Sequence, residues 1–206
     1  MIKYTDYDIV FQEIPDETTL AINISGCPNR CPGCHSPELW EDIGTNLDLD
    51  ELVRLVNKYD NITCVCFMGG DKNPFEIKNL IKMYHVWYEN RNRESFWSKS
   101  FKETNRPIPK ILPKFAWYSG QSDEDKAFDC FSYDYEYRDQ YIFVTYDRNY
   151  IRKHYYKERY NLQMFDYIKL GPYIEELGPL NNPNTNQRLY KVEGNQLIDI
   201  TNKFWK

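Results

Sequence analysis

Residues 20–34 read LAINISGCPNRCPGC, an apolar segment that runs directly into a loop with three cysteines. The segment from Leu20 to Ile24 is apolar or small apart from Asn23, which is typical of a buried strand. The cysteines are spaced C-x3-C-x2-C, so three thiolates could hold three corners of an iron–sulfur cube. The fourth iron would then have no protein ligand, and a substrate or cosubstrate could bind there. The stretch therefore predicts a strand that ends at a reactive metal centre.

The ligand set of this loop has one alternative, a structural zinc site formed by Cys27, Cys31, Cys34 and His35. Zinc sites usually pair two groups of ligands that lie well apart in sequence. Here all four candidates fall within nine residues, and Cys34 and His35 are adjacent, which is unfavourable for a relaxed tetrahedron. The loop therefore favours an iron–sulfur cluster, and zinc remains the alternative.

The rest of the chain alternates short apolar runs with segments of helical periodicity. Asp48, with Glu51 three residues later, predicts a helix start, and a second helical stripe follows Pro74. Further strands are predicted at residues 62–68, 114–118 and 165–170. A hairpin or edge pairing is predicted around Glu193-Gly194-Asn195 near the end of the chain.

This order of elements predicts a single α/β domain over residues 1–206, with a largely parallel sheet and crossover helices. The sheet is expected to be open or to form a partial barrel. Two stretches, at about 88–113 and 121–163, break the alternation and are interpreted as insertions. The first is rich in basic and aromatic residues, and the second contains a possible strand at Tyr141 to Tyr146.

Several predicted strands end in glycine-bearing loops. Because the carboxyl ends of parallel strands carry the site in α/β folds, the cysteine loop, Gly69-Gly70-Asp71 and Ser119-Gly120 should converge at one edge. The two glycines of the second loop would let the backbone approach a ligand closely. Asp71 could pair with an ammonium group, or it could cap the following helix.

The other three cysteines are interpreted differently. Cys64 and Cys66 lie two apart in a predicted strand, so they should face the same side, most simply as small buried hydrophobic residues. Cys130 lies in the second insertion and has no other cysteine at metal-ligand spacing, so we expect it to have no metal-binding role.

Composition and charge limit the kinds of binding partner and the cellular compartment that we expect for this protein. The net charge of −5 provides no general attraction to nucleic acid or to an anionic membrane. No run of about 18 apolar residues is present, so a transmembrane helix is not expected. The amino terminus lacks the basic start and apolar stretch of a signal peptide, which predicts a cytoplasmic location. In that reducing compartment, six cysteines indicate metal or redox chemistry rather than disulfides.

Five segments carry a resemblance to a known family. The chain resembles the radical S-adenosylmethionine enzymes and, more narrowly, the activating proteins of the anaerobic ribonucleoside-triphosphate reductase. The resemblance covers most of residues 1–87, then 114–120 and 164–206. It rests on the cysteine loop through His35, on Met68-Gly69-Gly70-Asp71, on Trp117-Tyr118-Ser119-Gly120, on the segment from Asp166 to Pro172, and on Asn184-Thr185-Asn186-Gln187-Arg188.

The resemblance implies a partial (βα) barrel and a reaction. Cys27, Cys31 and Cys34 would hold a 4Fe–4S cluster whose open iron binds the amino and carboxylate groups of S-adenosylmethionine. A reduced flavodoxin or ferredoxin would supply one electron, and reductive cleavage would give methionine and a 5′-deoxyadenosyl radical. That radical would remove hydrogen from a backbone glycine of the reductase.

The resemblance also implies which residues contact the cosubstrate, namely Gly33, His35, Gly69, Gly70, Asp71 and Ser119. It implies no catalytic side chain beyond the cluster and the cosubstrate.

Two features depart from the wider family. Gly33 stands where many members have an aromatic residue before the third cysteine, as it does in the reductase-activating branch. Lys169-Leu170-Gly171 replaces the Val-Asp-Gly of many members of that branch, so no role of that aspartate carries over. The insertions have no counterpart in the family. The basic first insertion has two interpretations: it is a docking surface for the reductase or the electron donor, or it is a solvent-exposed segment without a binding role.

Three other functions are kept as alternatives. One is activation of a different glycyl-radical enzyme, such as the formate-lyase group, whose activators are usually longer and lack the Asn186-Gln187-Arg188 tail. Another is a small radical enzyme that acts on a metabolite, such as a deazapurine synthase. The last is a zinc-stabilised binding module without catalysis.

Overall fold

The computed structural model describes residues 1–92, 111–122, 164–193 and 196–205. Most of the two stretches interpreted as insertions lies outside these residues. The possible strand at Tyr141 to Tyr146, the assignment of Cys130 and the docking hypothesis lie there too, so they stay predictions.

The described residues form eight strands, two α-helices and two short 3-10 helices. The strands are β1 (Lys3–Val10), β2 (Thr19–Ile24), β3 (Thr45–Asn46), β4 (Cys64–Met68), β5 (Lys114–Tyr118), β6 (Tyr167–Leu170), β7 (Arg188–Glu193) and β8 (Gln196–Asp199). The helices are α1 (Leu49–Asn57) and α2 (Pro74–Asn92), and the 3-10 helices span Pro37–Trp40 and Thr201–Phe204. None of the helices in the described part of the chain is both long enough and apolar enough to cross a membrane.

All eight strands belong to one sheet in the order β3-β1-β2-β4-β5-β6-β7-β8. The predicted parallel arrangement is found in the four central strands, β2, β4, β5 and β6. The outer pairings are antiparallel, so the sheet as a whole is mixed rather than largely parallel. The reason is chain connection, because short links such as those between β1 and β2 and between β7 and β8 can join only antiparallel neighbours. The partial barrel stays a prediction.

The helices begin and end for local reasons. Asp48 accepts a hydrogen bond at 2.9 Å from the backbone N–H of Glu51, which is the N-cap that the sequence predicts for α1. Helix α2 continues to Asn92, so the first residues of the stretch taken as an insertion from 88 belong to the helix. Nothing in residues 88–92 is a glycine or proline that would stop it.

The two faces of the sheet bury different side chains. Because alternate residues of a strand point to opposite faces, Val65 and Phe67 pack beneath the helices, whereas Cys64 and Cys66 lie on the face opposite the helices. The helix-covered core also includes Leu52, Ile77, Ile81, Tyr84, Phe115 and Trp117, and the opposite face includes Ile14, Ala116, Tyr167 and Leu189. Each large apolar side chain buried in this way contributes about 1.5–3 kcal/mol, which holds the strand ends in fixed positions.

Candidate iron–sulfur site

The central strands end side by side beneath the loops predicted to form the site. At the last row of the parallel register, Asn23 pairs with Met68, Met68 with Tyr118, and Tyr118 with Lys169. The cysteine loop follows β2, Gly69-Gly70-Asp71 follows β4, and Ser119-Gly120 follows β5. The sheet therefore brings these three loops to one edge.

Asp71 ties the three loops together. Its carboxylate accepts hydrogen bonds from Nδ2 of Asn29 at 2.6 Å, from Oγ of Ser119 at 2.5 Å and from the backbone N–H of Gly120 at 2.9 Å. Asn29 lies between the first two cysteines of the loop, and Ser119 is almost fully buried. We call Asn29, Asp71, Ser119 and Gly120 the Asp71 clasp. The predicted convergence is therefore found, with a side chain of the cysteine loop as one of its members.

Glycine at position 120 is required by the closeness of this contact. A Cβ atom there would overlap the Asn29 side-chain amide. Any larger residue would push the cysteine loop away from the end of β5 or break the bond between Asn29 and Asp71.

The backbone at Gly69 and Gly70 takes a conformation that suits glycine, with φ of 93° at both residues. Trp117 donates from Nε1 to the Gly69 carbonyl at 2.6 Å, and the Gly69 N–H donates to the Tyr118 carbonyl at 2.9 Å. A side chain at Gly70 would overlap Ile77 of α2. These contacts place the glycine turn firmly at the end of β4, and its role in cosubstrate binding stays a prediction.

The cysteine loop presents three free, partly exposed thiols, from Cys27, Cys31 and Cys34. The loop is held by a hydrogen bond from the Cys27 N–H to the Leu39 carbonyl at 2.7 Å and by a turn from the Cys34 N–H to the Cys31 carbonyl at 3.1 Å. The Ser36 N–H also donates to Sγ of Cys34 at 3.4 Å. These hydrogen bonds fix the backbone of the loop around its first and third cysteines.

The donor set fits an iron–sulfur cluster in its chemistry, since three thiolates are the ligands that such clusters take. Within the described ranges, no three Cys, His, Asp or Glu side chains lie together as a group that could hold a metal ion. The thiols would therefore have to turn toward a common point when iron binds, as expected where metal binding and local folding are coupled. The assignment of these three cysteines as ligands stays a prediction.

Cys64 and Cys66 are poor competitors for the metal. Both are fully buried on the face opposite the helices. Burial raises the pKa of each thiol well above its usual range, which disfavours the thiolate that a metal needs. This agrees with their interpretation as small buried hydrophobic residues.

Gly33 and His35 lie on the side of the loop that faces residues 173–175. The His35 ring packs on Tyr173 with their centroids 4.7 Å apart, and Gly33 lies against the Glu175 side chain. Both residues are exposed. Neither residue is a member of the Asp71 clasp, and their contact with a cosubstrate stays a prediction.

Lys169 is a further residue at this edge of the sheet. In the sequence it was noted only because Lys169-Leu170-Gly171 differs from the motif of the family that the chain resembles. It is buried, and its Nζ donates to the Gly171 carbonyl at 2.9 Å. Burial lowers the pKa of this ammonium to about 8, and the neighbouring Asp71 carboxylate partly offsets the shift. The sequence signal was available, because a lysine inside the buried strand Tyr167–Leu170 is unusual.

Residues 18–105 match a family model described as a 4Fe-4S single cluster domain. The matched segment begins at the start of β2 and includes the cysteine loop, α1, β4 and α2, but it covers less than half of the chain. No curated protein and no solved structure matches the chain. The match supports a 4Fe–4S cluster in this part of the protein, and thereby favours iron over zinc.

Proposed function

We propose that this protein is a radical S-adenosylmethionine activating enzyme that generates a glycyl radical on an anaerobic ribonucleoside-triphosphate reductase. One observation carries the proposal: Cys27, Cys31 and Cys34 share a loop that Asn29 joins, through Asp71, to the ends of β4 and β5. The cysteine loop and β4 lie within the segment that matches a 4Fe–4S domain. Three cysteines leave one iron of such a cluster open. An open iron at the carboxyl edge of a parallel sheet suits a bound cosubstrate.

The residues of the chain have distinct roles in this proposal. Cys27, Cys31 and Cys34 ligate the cluster, and the Asp71 clasp holds their loop at the strand ends. The glycine turn at Gly69 and Gly70 presents backbone groups to the methionine part of the cosubstrate. The bound cluster would supply the electron for reductive cleavage of S-adenosylmethionine, and the protein provides orientation and exclusion of water.

The fold and partners follow from the same proposal. The parallel centre of the sheet, with helices on one face, is what a partial (βα) barrel requires, and this architecture is proposed for the chain. A reduced flavodoxin or ferredoxin is the proposed electron donor. The reductase is the proposed partner, and its glycine must reach the edge where the three loops meet.

The first experiment tests the cofactor. The protein is reconstituted anaerobically with iron and sulfide, and iron, sulfide and zinc are then measured per chain. We expect about four irons and four sulfides per chain, the content of one 4Fe–4S cluster. Stoichiometric zinc without iron would contradict the proposal and favour a zinc-stabilised binding module.

The second experiment tests the reaction. Reconstituted protein is mixed with the candidate reductase, S-adenosylmethionine and a one-electron reductant, and electron paramagnetic resonance is recorded. A glycyl-radical doublet that requires S-adenosylmethionine and is absent with Cys31→Ala supports the proposal. Cleavage of S-adenosylmethionine without a doublet on the reductase would instead indicate another glycyl-radical enzyme or a metabolite as the substrate.

A further inference from the structure

We propose that the buried ammonium of Lys169 compensates the negative charge of the iron–sulfur site and thereby raises its reduction potential. This inference rests on the proposed function, because it requires a cluster on Cys27, Cys31 and Cys34. It goes beyond that function by assigning a residue outside the cysteine loop to electron transfer.

The position of Lys169 follows from the sheet register. Lys169 pairs with Tyr118 at the last row of β5 and β6, next to Met68 and Asn23 in the same row. Aligned residues of neighbouring parallel strands point to the same face of a sheet. Within the four parallel strands Lys169 is the only charged residue of this row, and the loops of the candidate site leave the strands just after the row.

The surroundings of the ammonium provide little compensation within the protein. The side chain is buried, and Nζ donates to the Gly171 carbonyl at 2.9 Å and lies 5.8 Å from the centre of the Tyr118 ring. Among the described residues, Lys169 forms no ion pair within 4.0 Å. Burial of a charge without an ionic partner is costly, so a further negative group at the site would stabilise it.

Several groups that act electrostatically on the Lys169 ammonium belong to the candidate site. These are Asp71, Cys31 and Cys34, and Cys66 of β4 acts on it as well. Three thiolates make a 4Fe–4S cluster anionic, and one-electron reduction adds a further negative charge without making or breaking a bond. A fixed positive charge in a low-dielectric region stabilises the more negative, reduced form. Removal of this charge should therefore make the cluster harder to reduce.

The test compares four proteins, namely wild type, Lys169→Met, Lys169→Arg and Lys72→Met. Each is reconstituted anaerobically without S-adenosylmethionine, and the midpoint potential is measured by titration with dithionite under electron paramagnetic resonance. Lys169→Met removes the charge with little change of length, and Lys169→Arg retains it. Lys72 is the matched control, since it lies against Gly26 at the start of the cysteine loop but its side chain is 60% exposed.

We expect the ratio of reduced to oxidised cluster in Lys169→Met to fall about tenfold at a given potential, a shift of about 59 mV for one electron. Lys169→Arg should stay close to wild type, and Lys72→Met should change the ratio by less than about twofold because water screens an exposed charge. These readouts do not depend on turnover, so they separate a charge effect from a change in activity.

The other outcomes are also decisive. A cluster of normal content and unchanged potential in Lys169→Met would overturn this inference and leave the proposed function standing. Loss of the cluster in both Lys169 variants would show a packing role instead of a charge role and would overturn it as well. Absence of iron from the wild-type protein would overturn the proposed function, and the role of Lys169 with it.

Discussion

The side chain of Asn29 donates a hydrogen bond from Nδ2 to Oδ2 of Asp71 at 2.6 Å, which joins the cysteine loop to the turn after β4. The two residues are 42 positions apart in the chain. Asp71 in turn holds Ser119 and Gly120 after β5, so one carboxylate positions three loops. The position of the cysteine loop therefore depends on the Asp71 carboxylate, which binds three neighbouring loops at once.

Asn29→Ala should weaken the loop before any metal is bound. Loss of the amide removes one hydrogen bond to a charged acceptor, and we expect the free energy of unfolding to fall by about 1.5–3 kcal/mol. Iron retained after reconstitution should fall as well, because the loop is less well placed. Denaturant unfolding and iron analysis measure these two effects. The exposed Asn61, in the loop before β4, provides the control Asn61→Ala, and equal effects of the two variants would contradict the clasp.

Replacement of single cysteines should separate ligands from buried residues. Cys27→Ala, Cys31→Ala and Cys34→Ala should each abolish assembly of a stable 4Fe–4S cluster and leave most of the fold intact, because these thiols are partly exposed. Cys64→Ala should keep the cluster and lower the free energy of unfolding by about 1 kcal/mol through loss of buried volume. Iron analysis and circular dichroism of the four variants distinguish the two classes. A full cluster in Cys31→Ala would exclude that residue as a ligand.

Lys169→Met should stabilise the metal-free protein at neutral pH. Burial lowers the pKa of Lys169 from 10.5 to about 8, so the folded state binds fewer protons than the unfolded state between those values. Wild-type stability should therefore rise as the pH increases through this window, and the gain from Lys169→Met, up to roughly 3 kcal/mol below pH 8, should shrink. Denaturant unfolding between pH 7 and pH 10 measures the slope. An equal pH slope in the variant would contradict the assignment.

Lys114→Met should destabilise the other end of the central strands. Lys114 donates to the buried Glu17 carboxylate at 2.5 Å, and Tyr167 donates to the same carboxylate at 2.9 Å. Among the described residues, loss of the ammonium leaves the Glu17 carboxylate with the Tyr167 hydroxyl as its one side-chain donor, and we expect a loss of about 1–3 kcal/mol in the free energy of unfolding.

The control for this ion pair is Lys203→Met. Lys203 contacts Asp16 at 2.9 Å, but both side chains are largely exposed, so the loss should stay below about 1 kcal/mol. If denaturant unfolding shows the same small loss for both variants, the buried carboxylate of Glu17 does not depend on Lys114.

His85 should make the protein sensitive to mild acid. Its ring is buried against Phe115, and among the described residues neither ring nitrogen has a hydrogen-bond partner. Burial lowers the pKa of His85 below 6.5, so the unfolded state binds more protons just below that pH and stability is lost as the pH falls. His85→Leu should flatten this decline between pH 6.5 and pH 5, measured by denaturant unfolding. An unchanged slope would assign the acid sensitivity to other groups.

The central strands and both helices were predictable because their signals are local. The apolar run at 20–24, the N-cap at Asp48 and the stripe after Pro74 each depend on residues close together in the chain. Strand β1 was not predicted, because Lys3–Val10 mixes charged and apolar residues and becomes a strand only by pairing with β2. The antiparallel pairing of β7 with β8 confirms the hairpin or edge pairing predicted near the end of the chain, whereas the antiparallel pairings of β1 with β2 and with β3 were not predicted.

The sequence by itself determined the donor set of the candidate site: three thiols at C-x3-C-x2-C spacing, at the end of a buried strand, which favours an iron–sulfur cluster over zinc. Only the tertiary structure decided what surrounds those thiols. The bond between Asn29 and Asp71 and the burial of Lys169 arise because the parallel register of β2, β4, β5 and β6 brings distant strand ends together. Side chains that are remote in sequence interact only once that register is set, so a local pattern can mark Lys169 as unusual but cannot identify the partners of Asn29 or Asp71.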